Sequence, residues 1–172
     1  MLSPLKRELL ARLLAEAGAR TLTVRIPARP TNGFLPVSFA QERLWFLNEF
    51  DRSSPAYNSL YAVRLKGDVS FGLLQQSIEL IVHRHQSLRA NFHVVEGVPV
   101  QHIRSENSLE FPFLDLSGLP PAEAEKECQR QMARQSRRVF DLENDLLLRL
   151  FLIKLREQEF IFNVVIHHII CD

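Results

Sequence analysis

The most informative segment of the chain is Phe160-Ile161-Phe162-Asn163-Val164-Val165-Ile166-His167-His168-Ile169-Ile170-Cys171-Asp172. Its first seven residues are an apolar, β-rich run of the length of a buried strand, so His167 and His168 lie where that strand leaves the core. Successive side chains of a strand point to opposite faces. We therefore expect one histidine to act at a site and the other to pack, and the two cannot chelate one metal ion while the strand persists.

Asp172 follows His168 by four residues. Its carboxylate returns toward the ring only if residues 169–171 turn, and it would then orient the imidazole or anchor the loop through an arginine. The same string also fits a less specific interpretation, in which a strand ends at a hydrogen-bonded core histidine and a loop aspartate follows. This segment alone leaves both interpretations open.

Composition limits the class of protein. The 172 residues are 46% hydrophobic and 24% charged, which favours one ordinary core over a disordered or membrane-spanning chain. A formal net charge of +1 disfavours nucleic acid or an anionic membrane as the main partner. Cys128 and Cys171 lack the spacing of a disulfide framework or zinc site, and we find neither a signal peptide nor an apolar run of roughly 18 residues. We therefore expect a cytoplasmic protein.

Helix caps and turn residues divide the sequence into two parts. Residues 1–33 predict a helical arm capped by Ser3 and a proline-rich linker, and residues 34–172 predict one alternating α and β unit. The predicted helices of this unit begin at Ser38, where Gln41 completes a capping box, at Ser70 and at Pro121. The second of these helices carries Leu74, Ile78, Ile81 and Val82 on one face, which is expected to be buried. Its predicted strands are 58–66, 92–95, 98–103, 147–156 and 159–167.

Three segments of the chain carry a specific resemblance to a known family. They read SFAQERLWFL at residues 38–47, RHQSLRANF at residues 84–92 and HHIICD at residues 167–172. In this order they resemble the first three core motifs of the condensation domains of nonribosomal peptide synthetases. Pro55-Ala56-Tyr57-Asn58 and Phe140-Asp141-Leu142 also look like this family.

The sequence departs from the family pattern at three places. Gln86 stands where the family usually has Glu, and Ala90 stands where it often has Thr. The glycine that closes the third motif is absent, because the sequence ends at Asp172.

The resemblance implies an α/β (α+β) fold of the chloramphenicol-acetyltransferase type, with a mixed sheet flanked by helices. Such a domain has two lobes with the active-site channel between them, and residues 34–172 resemble the N-terminal lobe. We therefore expect a domain truncated at its catalytic motif, with residues 1–33 as the lead-in arm, and a chain that is inactive alone.

The resemblance also implies a reaction and a role for each site residue. Condensation domains form a peptide bond by attack of a downstream aminoacyl amine on an upstream aminoacyl or peptidyl thioester. His168 is the expected catalytic residue, since imidazole can accept a proton from an amine whose pKa is about 8. His167 is expected to be structural, and Asp172 is expected to hold the loop through a salt bridge. Arg43 and Arg89 are candidates for its partner, and a partner in the C-terminal lobe is an equal alternative.

Both substrates of this family arrive on phosphopantetheine arms, so the expected partners are the upstream and downstream peptidyl carrier domains. The C-terminal lobe and an adenylation domain are expected to adjoin the chain. No cofactor or metal bound directly by this chain is expected, and neither nucleic acid nor membrane is an expected partner.

Several other residues have ordinary structural interpretations. His83 and His85 diverge on one helix and do not suggest a metal pair. Trp45 and Phe46 are expected to pack in the core, and Cys171 lacks the surroundings that would activate a nucleophile. A helix face of arginines could contact an acidic carrier domain or simply be solvated, namely Arg130, Arg134, Arg137 and Arg138.

Three functions remain open from the sequence. The first is the leading lobe of a peptide-forming condensation domain, and residues 38–47 resemble the branch that joins two L-residues rather than the epimerisation branch. The second is a coenzyme A-dependent acyltransferase of the same superfold, which residues 38–47 and 84–92 disfavour. The third is a non-catalytic fragment that binds carrier domains.

Overall fold

The computed structural model describes residues 3–16, 33–105 and 109–171. The chain divides into two compact units, Met1–Asn32 and Gly33–Asp172. In the first unit, helix α1 spans Pro4–Glu16, and the Lys6 amide donates to the Ser3 hydroxyl at 3.4 Å, as expected of an N-cap.

The part of the second unit that the structure describes contains three α-helices, which begin where the sequence predicts. Helix α2 (Phe39–Phe50) starts with the capping box: the Gln41 amide donates to Ser38 Oγ at 3.2 Å, and the Ser38 amide donates to Gln41 Oε1 at 2.9 Å. Helix α3 spans Phe71–Arg84, and helix α4 spans Pro121–Arg137. The two hydrogen bonds between Ser38 and Gln41 fix the direction in which α2 leaves the preceding chain.

Within the described residues, seven strands form two sheets. They are β1 (Leu35–Pro36), β2 (Asn58–Lys66), β3 (Ala90–Val95), β4 (Val98–Ile103), β5 (Phe113–Asp115), β6 (Leu148–Arg156) and β7 (Glu159–His167). The smaller sheet is antiparallel in the order β1-β4-β3. Its hairpin turns at Glu96 and Gly97, whose φ angles of 53° and 81° are those of the predicted two-residue turn.

The larger sheet has the order β2-β7-β6-β5 and is mixed, because β5 runs parallel to β6 whereas the other neighbours are antiparallel. A mixed sheet flanked by helices is therefore confirmed. The sequence did not predict β1 or β5. Both are very short. Strand β1 lies at the edge of its sheet, where Pro36 is tolerated although it has no amide hydrogen to donate.

The core lies against β6 and β7, whose apolar runs are buried on both faces. Helix α4 packs across β2, β6 and β7 and buries Ala124 and Cys128. Two sequence expectations were wrong in detail. Trp45 packs against the core, but Phe46, one residue further around α2, is 61% exposed. Ile81, predicted on the buried face of α3, is 51% exposed. It lies about 100° around the helix from the buried Val82.

Candidate active site

The two adjacent histidines lie in different environments. Strand β7 ends at His167, which is 3% exposed, and a 3-10 turn over His168–Ile170 begins with the exposed His168. The His168 amide donates to the carbonyl of Tyr57 at 2.8 Å. Because β7 is buried on both faces up to its last residue, the imidazole of His167 lies in the core, and the turn that begins at His168 brings the second imidazole to the surface.

His167 is held as a neutral hydrogen-bond acceptor. Its Nδ1 accepts the Ile169 amide at 3.2 Å, and its ring lies 6.3 Å from the Tyr57 ring and 6.1 Å from the Phe140 ring, centroid to centroid. Burial, and secondarily the charge of His168, lowers the pKa of His167 to about 4. At neutral pH the ring therefore carries its single hydrogen on Nε2, and its Nδ1 stabilises the turn that presents His168.

His168 lines a cleft between the turn and the first half of α2. The cleft encloses about 280 Å³, and its walls are Ser38, Ala40, Gln41, Arg43, Leu44, His168, Ile169, Ile170 and Cys171. The Nδ1 atom of His168 lies 3.9 Å from the sulfur of Cys171. The first and third sequence motifs therefore meet at one surface, and the imidazole is accessible there.

Gln41 joins these two motifs directly. Besides its bond within the capping box, its Nε2 donates to the Ile169 carbonyl at 3.3 Å. Its Oε1 also accepts from Gln101 Nε2 at 3.2 Å, and the same Gln101 amide donates to the Pro36 carbonyl at 2.9 Å. One side chain thereby ties the start of α2, the histidine turn and strand β4 together.

The two candidate arginines lie in different places. Arg43 is exposed and lines the cleft beside His168. Arg89 donates to the carbonyls of Val82 at 3.2 Å, His83 at 3.1 Å and Arg104 at 2.5 Å, so its guanidinium closes the end of α3 against the residue after β4. Asp172 lies outside the described residues. The predicted salt bridge therefore stays a prediction for both arginines.

Two further family-like segments meet around His167. Asn58, which pairs with His167 across β2 and β7, donates from Nδ2 to the carbonyls of Ser136 at 2.8 Å and Arg138 at 2.9 Å. Phe140 contacts the His167 ring edge-on and lies 3.6 Å beneath the Arg149 guanidinium. These segments fix the end of α4 against the end of β7.

Sequence reasoning missed four of these contacts. The sequence marked Tyr57 and Phe140 as family-like but assigned them no role beside His167. It identified Gln41 only as a helix cap. The approach of Cys171 to His168 depends on the 3-10 turn, which no periodicity in the sequence indicates. A usable signal was Arg149, a charged residue between apolar neighbours at the start of β6, whose side chain is only 12% exposed and binds Asp145.

The remaining sequence candidates lie apart from the cleft. His83 and His85 are exposed at the end of α3, and the arginines of α4 are exposed along that helix. Among residues 3–16, 33–105 and 109–171 there is no group of three or more histidine, cysteine or acidic side chains that could hold a metal ion. In the same ranges, no helix combines the length and the apolar character needed to cross a bilayer.

Comparisons with known proteins give the family. The family model of the condensation domain matches residues 31–172. A linear gramicidin synthase of Brevibacillus parabrevis is 43% identical over 80% of this chain, and phosphinothricin tripeptide synthetase PhsC of Streptomyces viridochromogenes is 33% identical over 99%. The chain spans only 3% and 16% of the lengths of these two relatives.

Solved structures show the same fold. The starter condensation domain of rhizomide synthetase RzmA superposes with a TM-score of 0.76 at 20% identity, over 82% of this chain and 35% of that one. The first condensation domain of the calcium-dependent antibiotic synthetase gives 0.74 at 21% identity, over 80% of this chain and 33% of that one. Fold, motif order and sequence similarity agree, and this chain belongs to the condensation-domain family of nonribosomal peptide synthetases.

Proposed function

We propose that this chain is the N-terminal lobe of a condensation domain that forms a peptide bond between two carrier-bound thioesters. The observation that carries the proposal is the contrast between the histidines at the end of β7. His168 is exposed in a cleft, whereas His167 is buried and holds the turn beneath it.

The proposed chemistry needs one mobile proton and two aligned substrates. The amine of the downstream aminoacyl thioester attacks the carbonyl carbon of the upstream thioester, and the carbon–sulfur bond breaks as the amide forms. His168 accepts the proton that the amine loses and can return it to the departing thiolate. Thioester aminolysis is intrinsically favourable. Alignment of the two tethered reactants lowers the activation free energy by several kcal/mol on its own.

The other site residues hold His168 in place. His167 supports the turn through the Ile169 amide, and Asp172 anchors the end of the turn by an ion pair with an arginine. Arg43 lies in the cleft, and Arg89 is the second candidate. None of the three is proposed to touch the reacting atoms.

The proposed partners are the carrier domains that deliver both substrates on phosphopantetheine. The relatives named above are peptide synthetases many times longer than this chain, which supports a neighbouring C-terminal lobe and an adenylation domain. The exposed arginine face of α4 is a candidate contact for an acidic carrier domain. The segment at residues 38–47 supports the branch that joins two L-residues, and the cytoplasm is the proposed location.

The proposal is tested in a completed domain, in which residues 34–172 are fused to the second lobe of the matching condensation domain of the linear gramicidin synthase named above. Donor and acceptor carrier proteins are loaded with aminoacyl groups, and dipeptidyl thioester is measured by mass spectrometry. We expect product from the completed domain and loss of product with His168→Ala. His83→Ala, which alters an exposed histidine outside the cleft, is the matched control. Product from coenzyme A thioesters but not from carrier thioesters would contradict the proposal.

A further inference from the structure

Arg149 is a charged side chain on the sheet face that carries His167. It lies opposite Val165 in the register of β6 and β7, and alternate residues of β7 point to one face, so Arg149 and His167 share that face. Its side chain is largely buried. Burial and the neighbouring charge of Arg138 lower the pKa of Arg149, yet an arginine keeps its proton in proteins. A buried cation needs partners, and its partners show what it holds in place.

The guanidinium of Arg149 holds the main chain that leads into Phe140. Its Nη1 donates to the carbonyl of Arg138 at 2.6 Å, and its Nη2 donates to the carbonyl of Val139 at 2.7 Å and to Asp145 Oδ2 at 3.3 Å. Its Cζ atom also lies 3.6 Å from the centre of the Phe140 ring, which is the geometry of a cation–π contact. One side chain thus fixes both the main chain before Phe140 and the face of its ring.

The Phe140 ring is also a wall of the pocket that encloses the His167 imidazole. It is buried, and it meets the imidazole nearly at a right angle, with 88° between the ring planes and 6.1 Å between the centroids. Burial is the main cause of the lowered pKa of His167, and the charge of His168 adds to it. The ring of Phe140 therefore helps to keep His167 neutral.

The neutral state of His167 keeps the histidine turn in place. Nδ1 of the neutral ring accepts the Ile169 amide at 3.2 Å. A protonated imidazole is a donor at both nitrogens and cannot accept this amide. Any change that lets water reach His167 in the folded chain therefore weakens the turn that presents His168.

We infer that Arg149 is a positioning residue of this site, which acts on the histidine turn through the ring of Phe140. Arg149 itself does not touch the reacting groups. It keeps Phe140 against His167, and His167 keeps the turn. The consequence for catalysis rests on the proposed function, in which the exposed His168 performs the proton transfer.

Titratable and charged groups surround the two rings. Among the described residues they include, beside His167, Tyr57, His168 and Cys171 and, beyond Phe140, Arg138, Asp145 and Arg149. Asp145 is the counter-charge of Arg149, so a neutral residue at position 149 would change the charge near His167 as well as the packing of Phe140. A lysine keeps the charge but lacks the planar fork that reaches two carbonyls at once. Arg149→Lys therefore tests the packing alone.

The test is the protonation state of the His167 ring, read from the histidine ring resonances of the isotope-labelled chain of residues 1–172 and assigned with His167→Asn. At about pH 5.5 the ring of the unaltered chain is almost entirely neutral, because this pH lies well above its pKa of about 4. We expect Arg149→Lys to raise the protonated fraction about fivefold or more at this pH. An unchanged fraction would overturn the inference, whether or not the variant is less stable.

A second variant tests whether the effect passes through Phe140. Phe140→Leu removes the ring and keeps every charge, and it should also raise the protonated fraction of His167. In the double variant, Arg149→Lys should add nothing further, because the ring on which it acts is gone. A further rise in the double variant would overturn the inference. Arg149→Lys decides the inference by itself if Phe140→Leu does not fold.

Arg64→Lys is the matched control. Arg64 is also a forked arginine that joins two elements, since it donates to Glu125 on α4 and to Glu159 on β7, both at 2.7 Å. Its replacement should leave His167 as neutral as in the unaltered chain. An equal rise in the protonated fraction in Arg64→Lys would show a general loosening of the sheet and would overturn the inference.

These spectra need no substrate, so they separate this inference from the proposed function. A completed domain that keeps its turnover in His168→Ala would refute the proposed function and leave the His167 spectra as they are. A His167 ring that ignores Arg149→Lys would refute the inference and leave the role of His168 untouched.

Discussion

The side-chain amide of Gln41 donates to the main-chain carbonyl of Ile169 at 3.3 Å, across 128 residues of sequence. This contact connects the capped start of α2 to the turn that carries His168, and it makes the first motif a structural support of the third. Helix capping and site geometry thus depend on one residue, because the Oε1 atom of Gln41 also accepts the Ser38 amide at 2.9 Å.

Gln41→Ala should weaken both the helix cap and the turn. We expect a loss of about 1–2 kcal/mol in the free energy of unfolding, since each net hydrogen bond contributes about 1 kcal/mol. Urea denaturation of residues 1–172 measures this loss, and turnover of the completed domain should fall as well. Gln101→Ala is the matched control, because it removes the neighbouring amide while leaving the bond from Gln41 to Ile169 intact. Equal effects of the two variants on turnover would contradict the role of Gln41.

His167 should make the stability of the chain depend on pH between about 4 and 6.5. Its pKa is lowered to about 4 in the folded protein by burial and by the charge of His168, whereas the unfolded chain titrates near 6.5. Between these values the unfolded state binds more protons than the folded state, so stability falls as the pH is lowered through this window. The free energy of unfolding should therefore be up to about 3 kcal/mol higher above pH 6.5 than below pH 4.

His167→Asn tests this effect without removing the turn, because an asparagine side-chain oxygen can accept the Ile169 amide in place of Nδ1. We expect the stability of the variant to depend much less on pH in this window, as measured by urea denaturation at a series of pH values. His83→Asn, at an exposed position, should retain the wild-type profile. A wild-type profile in His167→Asn as well would show that the ring is not the titrating group.

Two buried asparagines should respond oppositely to the same substitution. Asn91 donates to the carbonyls of Leu142 at 3.2 Å and Asp145 at 2.7 Å, and among the described residues only the Leu142 carbonyl keeps another partner, the Phe92 amide, in Asn91→Leu. The loss of both bonds of the buried Asn91 side chain should cost about 1–3 kcal/mol. Asn163 is 0% exposed, and its Oδ1 has no hydrogen-bond partner among the described residues. Asn163→Leu should therefore be neutral or stabilising by about 1 kcal/mol. Thermal and urea melts measure both variants, and a larger loss for Asn163→Leu than for Asn91→Leu would reverse this assignment.

The anchor of Asp172 can be identified by double-mutant cycles. Asp172→Asn is combined in turn with Arg43→Gln and with Arg89→Gln in the completed domain, and the free energy of unfolding is measured for each single and double variant. Removing one partner of a buried ion pair lowers the free energy of unfolding by about 3–5 kcal/mol. Because the two partners interact, the change in the double variant differs from the sum of the two single changes. We expect coupling for one arginine and additivity for the other. Additive changes for both would contradict this expectation and leave the second lobe as the source of the partner of Asp172.

The sequence predicted those features that short-range chemistry determines. The capping box of Ser38 and Gln41 and the turn at Glu96 and Gly97 both depend on residues a few positions apart. Each uses groups whose geometric preferences are known.

Features that depend on distant contacts could not be predicted in this way. Strand β1 has two residues and strand β5 has three, and segments this short show no periodicity in the sequence. The exposure of Phe46 depends on which face of α2 meets the core. The bond from Gln41 to Ile169 and the contact of Cys171 with His168 require the folded positions of α2 and the 3-10 turn.

The central claim is that the exposed histidine performs the chemistry and the buried one supports it. The most direct measurement is single-turnover peptide formation between loaded carrier proteins, with thermal melts on the same samples, for His168→Ala and His167→Ala in the completed domain. We predict that His168→Ala lowers the rate by about 10- to 100-fold with little change in melting temperature, since positioning retains part of the catalysis. His167→Ala should chiefly lower the melting temperature. Wild-type turnover in His168→Ala, together with lost turnover and an unchanged melt in His167→Ala, would contradict the claim.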